Sequence, residues 1–311
     1  MSLMSDLMPQ RKPGQAGPSI MAEGIALQRM AETMLSEDVR IFSDPYAVWF
    51  IDPVKITWAK EHPEETRDLT EEIEKKMPGW FNTIRGRVRF FDDIVQDAGG
   101  EGFSQLVILG AGYDTRAYRT GSLKDRVRVF EIDRPETMAR KTGILKKIFG
   151  QLPGHVTFIP LDMIQTECWE PLGAAGWDPE AKTLFLLEGL VMYLPRTAVE
   201  GLLAGIARHA GAGSAVLFDF VPQSLADGSS DAEGGQNIRH WTIRLGEPIQ
   251  SGFAEGEVIP FLTGLGYTSV NVVPSRDFAE MYYTGKNADR KVSGLMSLVH
   301  ATIPEREGHE P

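Results

Sequence analysis

Cysteine is nearly absent: Cys168 stands alone in 311 residues. One thiol forbids an intrachain disulfide and a cysteine-based zinc cluster. The expected state of Cys168 is a small buried apolar side chain, and no metal site is expected. Basic charge is also short. The 32 Lys and Arg face 43 Asp and Glu, a net charge of −11, which argues against sequence-independent nucleic-acid binding. No apolar run approaches the roughly 20 residues of a membrane-spanning helix. The N-terminus lacks the apolar core of a secretory signal, so the expected location is cytoplasmic and no membrane partner is expected. What remains is an ordinary soluble composition, 42% hydrophobic and 24% charged, on a chain long enough for one large α/β domain with additions.

The pattern along the chain divides it in three. Residues 1–19 are rich in Pro, Gly, Ser and Gln and read as a disordered tail. Residues 20–98 read as a helical cap. Met21, Ile25, Met30 and Met34 share a face of a first helix ending near Glu37. Asp44-Pro45 signals the start of a second helix, with Asp44 as N-cap. A charged helix covers 64–76, and Phe81, Ile84, Val88, Phe91 and Val95 form the stripe of another over 80–97. Residues 99–311 then alternate strands with helices. Strands are expected at 105–109, 127–132, 155–160, 182–187, 214–220, 267–273 and 294–301. The first five are continuous apolar runs, as in strands covered on both faces. The fold class is therefore α/β, a doubly wound, mostly parallel seven-stranded Rossmann-like sheet. Residues 222–250 interrupt the rhythm with a polar, Gly-rich stretch that turns aromatic at His240-Trp241. This reads as an inserted lid or substrate loop.

A glycine is missing where a dinucleotide site needs one. The first strand runs into Gly110-Ala111-Gly112-Tyr113-Asp114-Thr115-Arg116, and Thr115 occupies the third glycine position of the dinucleotide fingerprint. Asp133 follows Gly112 by about 20 residues, at the end of the second strand, where a carboxylate can take a ribose diol. A pyrophosphate prefers a bare, positive helix N-terminus, and Asp114 opposes it. A cofactor with a cationic end suits this turn better, which points to S-adenosyl-L-methionine (SAM).

Ligands of such sheets bind at the carboxyl ends of the strands. Those ends carry Gly110, Ala111, Gly112 and Asp114, then Asp133, Asp162 with Met163, Glu188, and Asp219. Asp133 can accept from the ribose hydroxyls or cap the following helix. Asp162 can accept from the adenine amine, with Met163 against the ring, or can be a turn residue. Glu188 lies between two apolar runs, where an unpartnered carboxylate is costly, and can hold the methionine ammonium. Asp219 reads as structural. Arg116 and Arg119 can pair with local carboxylates or serve the loop.

The runs Leu109–Arg116, Phe130–Pro135 with Lys141, and Leu187–Pro195 resemble the leucine carboxyl methyltransferase family, a class I SAM-dependent methyltransferase fold. Asp44–Ala47, Arg85 and Phe90–Asp93 extend the resemblance over roughly residues 25–220. The resemblance implies that Arg85 reaches the methionine carboxylate, and that Gly110, Asp133, Asp162, Met163 and Glu188 line the cofactor pocket. It implies a further basic residue upstream, for which Arg29 is the candidate. The implied activity is O-methylation of a carboxylate or hydroxyl on a small-molecule acceptor. Methylation of a protein C-terminal carboxylate is the variant within the family.

A carboxylate acceptor is ionised at neutral pH and needs no base, whereas a hydroxyl needs one. Tyr193 is the candidate catalytic residue, facing the acceptor, with ordinary packing as its alternative. His240 can act as base only if the insertion folds over the pocket. An NAD(P)-dependent oxidoreductase shares the sheet topology but wants the third glycine. A SAM-binding protein without turnover would keep the same pocket.

Overall fold

The computed structural model describes residues 17–124 and 126–305. The expectation for the tail therefore lies outside the described residues up to position 16, while Ser19 caps the first helix. That helix, α1, spans Ile20–Thr33. The Asp-Pro start signal works one repeat later than expected. Asp44 Oδ1 accepts the N–H groups of Tyr46 and Ala47, but only a 3₁₀ turn, Ala47–Phe50, follows. The helix proper, α2 (Pro53–Glu61), is capped by Asp52 with Pro53 in its first turn. Then come α3 (Pro63–Lys76) and α4 (Trp80–Ala98).

Seven strands form one sheet: β1 (Gln105–Leu109), β2 (Arg128–Asp133), β3 (Val156–Pro160), β4 (Thr183–Leu187), β5 (Ala215–Phe220), β6 (Thr268–Pro274) and β7 (Ser297–Thr302). Their order is β3-β2-β1-β4-β5-β7-β6. The first five are parallel, and β7 runs antiparallel to both neighbours. The longer helices between strands are α5 (Pro135–Phe149), α6 (Arg196–His209), α7 (Gly235–Arg244) and α8 (Val258–Gly264).

Strand alternation sorts the apolar residues into two cores. Leu106 and Ile108 of β1 join Ile84, Val88, Phe91 and Val95 of α4 on one face. Val107 and Leu109 join Val199, Leu203 and Ile206 of α6 on the other. Successive side chains of a strand point to opposite faces, so a five-residue run with no exposed member is what two covered faces require.

The chain passes from β1 outward to β3, then returns to the other side of β1 with β4. This reversal opens a crevice at the carboxyl ends of β1 and β4, the standard ligand position in doubly wound sheets. The 222–250 insertion carries α7 and returns to the helical cap, with Trp241 edge-on to Phe81 of α4 at 5.6 Å.

Candidate functional site

A cavity of ≈ 710 Å³ fills that crevice, within the roughly 300–1,000 Å³ of small-ligand sites. Its floor is the turn after β1. Gly110 and Gly112 both adopt positive φ, +67° and +44°, where a side chain would be strained. A Cβ on Gly110 would meet Leu190 Cδ1 at 2.8 Å, and one on Gly112 would meet the Ala22 Cβ of α1 at 3.3 Å. The helical cap therefore lies directly on the turn. Beneath the turn, buried Lys141 pairs with buried Glu131 at 2.6 Å and reaches the Ala111 carbonyl at 3.4 Å.

Asp133 closes one side. Its Oδ2 accepts the N–H of Gly112 at 2.6 Å and its Oδ1 that of Arg134 at 2.7 Å. Burial pushes the carboxyl above the usual range, against the pull of these two donors. The residue thus braces the glycine turn and the entry to α5, and it also lines the cavity. Asp162 likewise does two things. It accepts from Ile164 N–H and Gln165 Nε2, each at 3.0 Å, as a turn residue does, while it and Met163 line the cavity.

The far wall is an ion network. Arg116, fully buried, reaches Asp92 at 2.7 Å and both Asp114 and Glu188 at 2.5 Å. Glu188 gives its other oxygen to Arg87 Nε at 3.1 Å, and Arg87 Nη1 meets Asp219 at 2.8 Å. Asp219 also accepts the Gly189 N–H and does not line the cavity. Arg119 pairs with Asp92, and Arg29 with Asp44. Burial would raise the Asp114 carboxyl, but the charges of Arg116, Lys141 and Arg29 outweigh it and hold it well below the usual range. Four guanidiniums thus face five carboxylates, an excess of negative charge in a low-dielectric wall.

The expected site residues Gly110, Ala111, Gly112, Asp133, Asp162, Met163, Glu188 and Tyr193 all line this cavity. Arg85 does not line it. Its Nη2 donates to Gln28 at 2.9 Å and its Nε lies 3.8 Å from buried Glu32. Glu32 also takes Arg290 at 2.6 Å. Arg85 therefore ties α1 to α4. The guanidiniums that line the cavity are Arg29 of α1, Arg87 of α4 and Arg134. Positions 85 and 87 point roughly 200° apart on a helix of 3.6 residues per turn. The sequence held the signal: Arg87 lies three residues after Ile84 and four before Phe91, inside the apolar stripe, where a cation needs partners.

The roof comes from Met21, Ala22, Ile25 and Arg29 of α1 and from Gly246, Glu247, Pro248 and Gln250 of the insertion. Glu247 joins them, accepting Ser19 Oγ at 2.8 Å and the Ile20 N–H at 2.7 Å. Sequence reasoning missed Glu247, since a lone Glu in a loop carries no local signal. His240 is exposed and lines neither this cavity nor its neighbour. Among the described residues no group of His, Cys, Asp and Glu could hold a metal ion, and no helix is long and apolar enough to cross a membrane. Cys168 is buried, which lifts its thiol to about 12.

Comparison with known proteins agrees with this site. A Mycobacterium avium protein carrying the provisional name S-adenosyl-L-methionine-dependent methyltransferase is 30% identical, over 79% of this chain and 82% of its own. Bacillus subtilis YktD, with the same provisional name, is 28% identical over 64% of this chain and 66%, a little under two thirds, of its own length. In three dimensions a DUF574 family protein from Streptomyces avermitilis covers 92% of this chain and 98% of its own, with a TM-score of 0.62 at 12% identity. That likeness bears on the fold alone. The leucine carboxyl methyltransferase pattern matches residues 22–207, from the helix that roofs the cavity through every strand end that lines it. The chain belongs to the leucine carboxyl methyltransferase family and is a SAM-dependent methyltransferase.

Proposed function

We propose that the protein methylates an oxygen of a small molecule, and that the oxygen belongs to a carboxylate. The observation that carries this reading is the cavity between the Gly110–Gly112 turn, Asp133 and the network on Glu188. Its excess of carboxylate fits a cofactor with an ammonium and a sulfonium, and would repel a pyrophosphate. Asp133 keeps lone pairs for a ribose diol beyond the two N–H groups it accepts. Asp162 and Met163 serve the adenine. Glu188 takes the ammonium. Arg29 donates Nη2 to the Tyr113 carbonyl at 2.5 Å and holds Nε 3.2 Å from Asp44 as an ion pair without a hydrogen bond, and Nη1 is offered to the methionine carboxylate.

Bound SAM supplies an electrophilic methyl group: the acceptor oxygen forms the new C–O bond as the C–S bond breaks and leaves its pair on sulfur. The protein's task is alignment and exclusion of water. Burial, with Glu247 nearby, pushes the Tyr193 hydroxyl well above its ordinary value. At neutral pH Tyr193 is therefore a hydrogen-bond donor to the acceptor and no base. With His240 outside the site, an acceptor already ionised is favoured over a hydroxyl.

The test is a thermal shift followed by turnover. SAM and S-adenosylhomocysteine should each raise Tm, because a ligand bound only by the native state stabilises it. NAD should not. Stabilisation by NAD alone would return the site to nucleotide redox chemistry. A labelled-methyl screen over carboxylic acids and phenols should then give base-labile methyl esters.

A further inference from the structure

A second cavity adjoins the first. It measures ≈ 20 Å³, and Met21, Ile25, Arg87 and Tyr193 line both. We infer that this second cavity is the acceptor site, and that it takes a small apolar carboxylic acid, aryl or branched alkyl, in preference to the end of a protein chain. The inference rests on the methyltransferase reading above.

The shared wall is the first argument. Arg87 and Tyr193 stand at the partition, so a group held there faces the larger cavity. Arg87 uses Nε and Nη1 on Glu188 and Asp219. Its Nη2 donates to no protein atom among the described residues, and neither does the Tyr193 hydroxyl. Both donors belong to residues that line the two cavities together, and a carboxylate has two oxygens to take them.

The rest of the lining is the second argument. Apart from Arg87 and Tyr193, the polar side-chain groups of the lining are the indole N–H donors of Trp80 and Trp241 and Thr242, whose hydroxyl already donates to the Arg239 carbonyl at 2.9 Å. The tail of a protein would bring buried peptide N–H and C=O groups that need partners. This mostly apolar lining offers few of them. An acid with a hydrocarbon body needs none.

Size and shape are the third. As it stands the space holds about one water, which needs roughly 10–15 Å³. Three of its walls are Met21, Met192 and Met296, unbranched thioethers that move aside at small cost. The fixed walls are the indoles of Trp80 and Trp241, flat surfaces suited to a ring or a branched chain. The walls come from α1, α4, α7 and the segments around 192, 221, 249 and 296, so room is made by side-chain displacement within a closed shell.

The experiment is calorimetry with 3-phenylpropanoate as probe, on protein saturated with S-adenosylhomocysteine. Binding of S-adenosylhomocysteine is measured first, and its failure would count against the methyltransferase reading itself. With that binding in hand, the acid should bind, 3-phenylpropanamide at least tenfold more weakly, and an acetylated tetrapeptide ending in leucine not at all. Ile84→Trp should fill the space and weaken the acid at least tenfold, with S-adenosylhomocysteine affinity within twofold of the parent. Trp241→Ala covers the case in which Ile84→Trp does not fold, and should shift preference toward a naphthyl acid. No binding of the acid, equal binding of acid and amide, tighter binding of the peptide, or indifference of the acid to both substitutions would each overturn the inference.

Discussion

Glu247 accepts the backbone N–H of Ile20 at 2.7 Å, across 227 positions of sequence. With Ser19, it satisfies the free donors at the start of α1, the helix that roofs the cavity. A carboxylate at a helix N-terminus is favourable both as a hydrogen-bond acceptor and toward the helix dipole. Glu247 thus ties the insertion to the start of the helical cap over the site, beside the Trp241–Phe81 contact.

Glu247→Ala should therefore cost roughly 0.5–2 kcal/mol of stability, as lost N-caps do. It should also speed hydrogen exchange at Ile20–Ile25 and the release of S-adenosylhomocysteine. Unchanged exchange in that segment would show that the roof is held elsewhere.

Two arginines separate binding from structure. Arg29→Ala should weaken SAM at least tenfold and leave decarboxylated SAM nearly unaffected, since only the first carries the carboxylate. Arg85→Ala should lower unfolding free energy by roughly 1–3 kcal/mol, the cost of a lost buried hydrogen-bond partner, with both affinities unchanged. Equal losses for both ligands in Arg29→Ala would assign that residue to holding α1.

Asp133 gives the site a pH dependence. Burial raises its folded-state pKa, so protonation favours the folded apoprotein at this group. That stability is fully present below the unfolded-state pKa and is lost as pH rises through the raised folded value. The proposed ribose contact predicts the opposite slope for ligand affinity, because a diol donates to the ionised form. Calorimetry with S-adenosylhomocysteine should show affinity falling on the acid side in the parent but not in Asp133→Asn. Asp133→Ala should lose at least tenfold at neutral pH, in line with about 1.5–3 kcal/mol for a charge-assisted hydrogen bond. Identical pH profiles in parent and Asp133→Asn would confine Asp133 to bracing the glycine turn.

Arg87 and Asp219 form a buried pair, with side chains 4% and 0% exposed. Removing one partner strands the other charge, which costs roughly 3–5 kcal/mol. Arg87→Met should destabilise by that order in urea unfolding. Asp219→Asn added to it should recover a large part, because Asn still accepts from Gly189. If the double substitution is as unstable as the two losses summed, the pair is not energetically coupled.

The sequence alone determined the sheet and the turn at its ligand-facing edge. Short apolar runs alternating with helical patterns read as strands covered on both faces, and the glycine turn with Asp133 follows from local backbone geometry at fixed spacing. These are short-range constraints, and the expected cofactor-facing residues of the strand ends all line the cavity. Tertiary structure decided what short-range pattern cannot encode. It placed β7 antiparallel between β5 and β6, because strand order depends on which edge a returning chain covers. It put Arg87 and Arg29, and not Arg85, on the cavity wall, since which side of α4 meets β4 and β5 is fixed by packing. It brought Glu247 to Ser19, a contact between segments with no mutual sequence signal. The roof and the second cavity are assembled from such long-range contacts, between segments whose sequences carry no signal of each other.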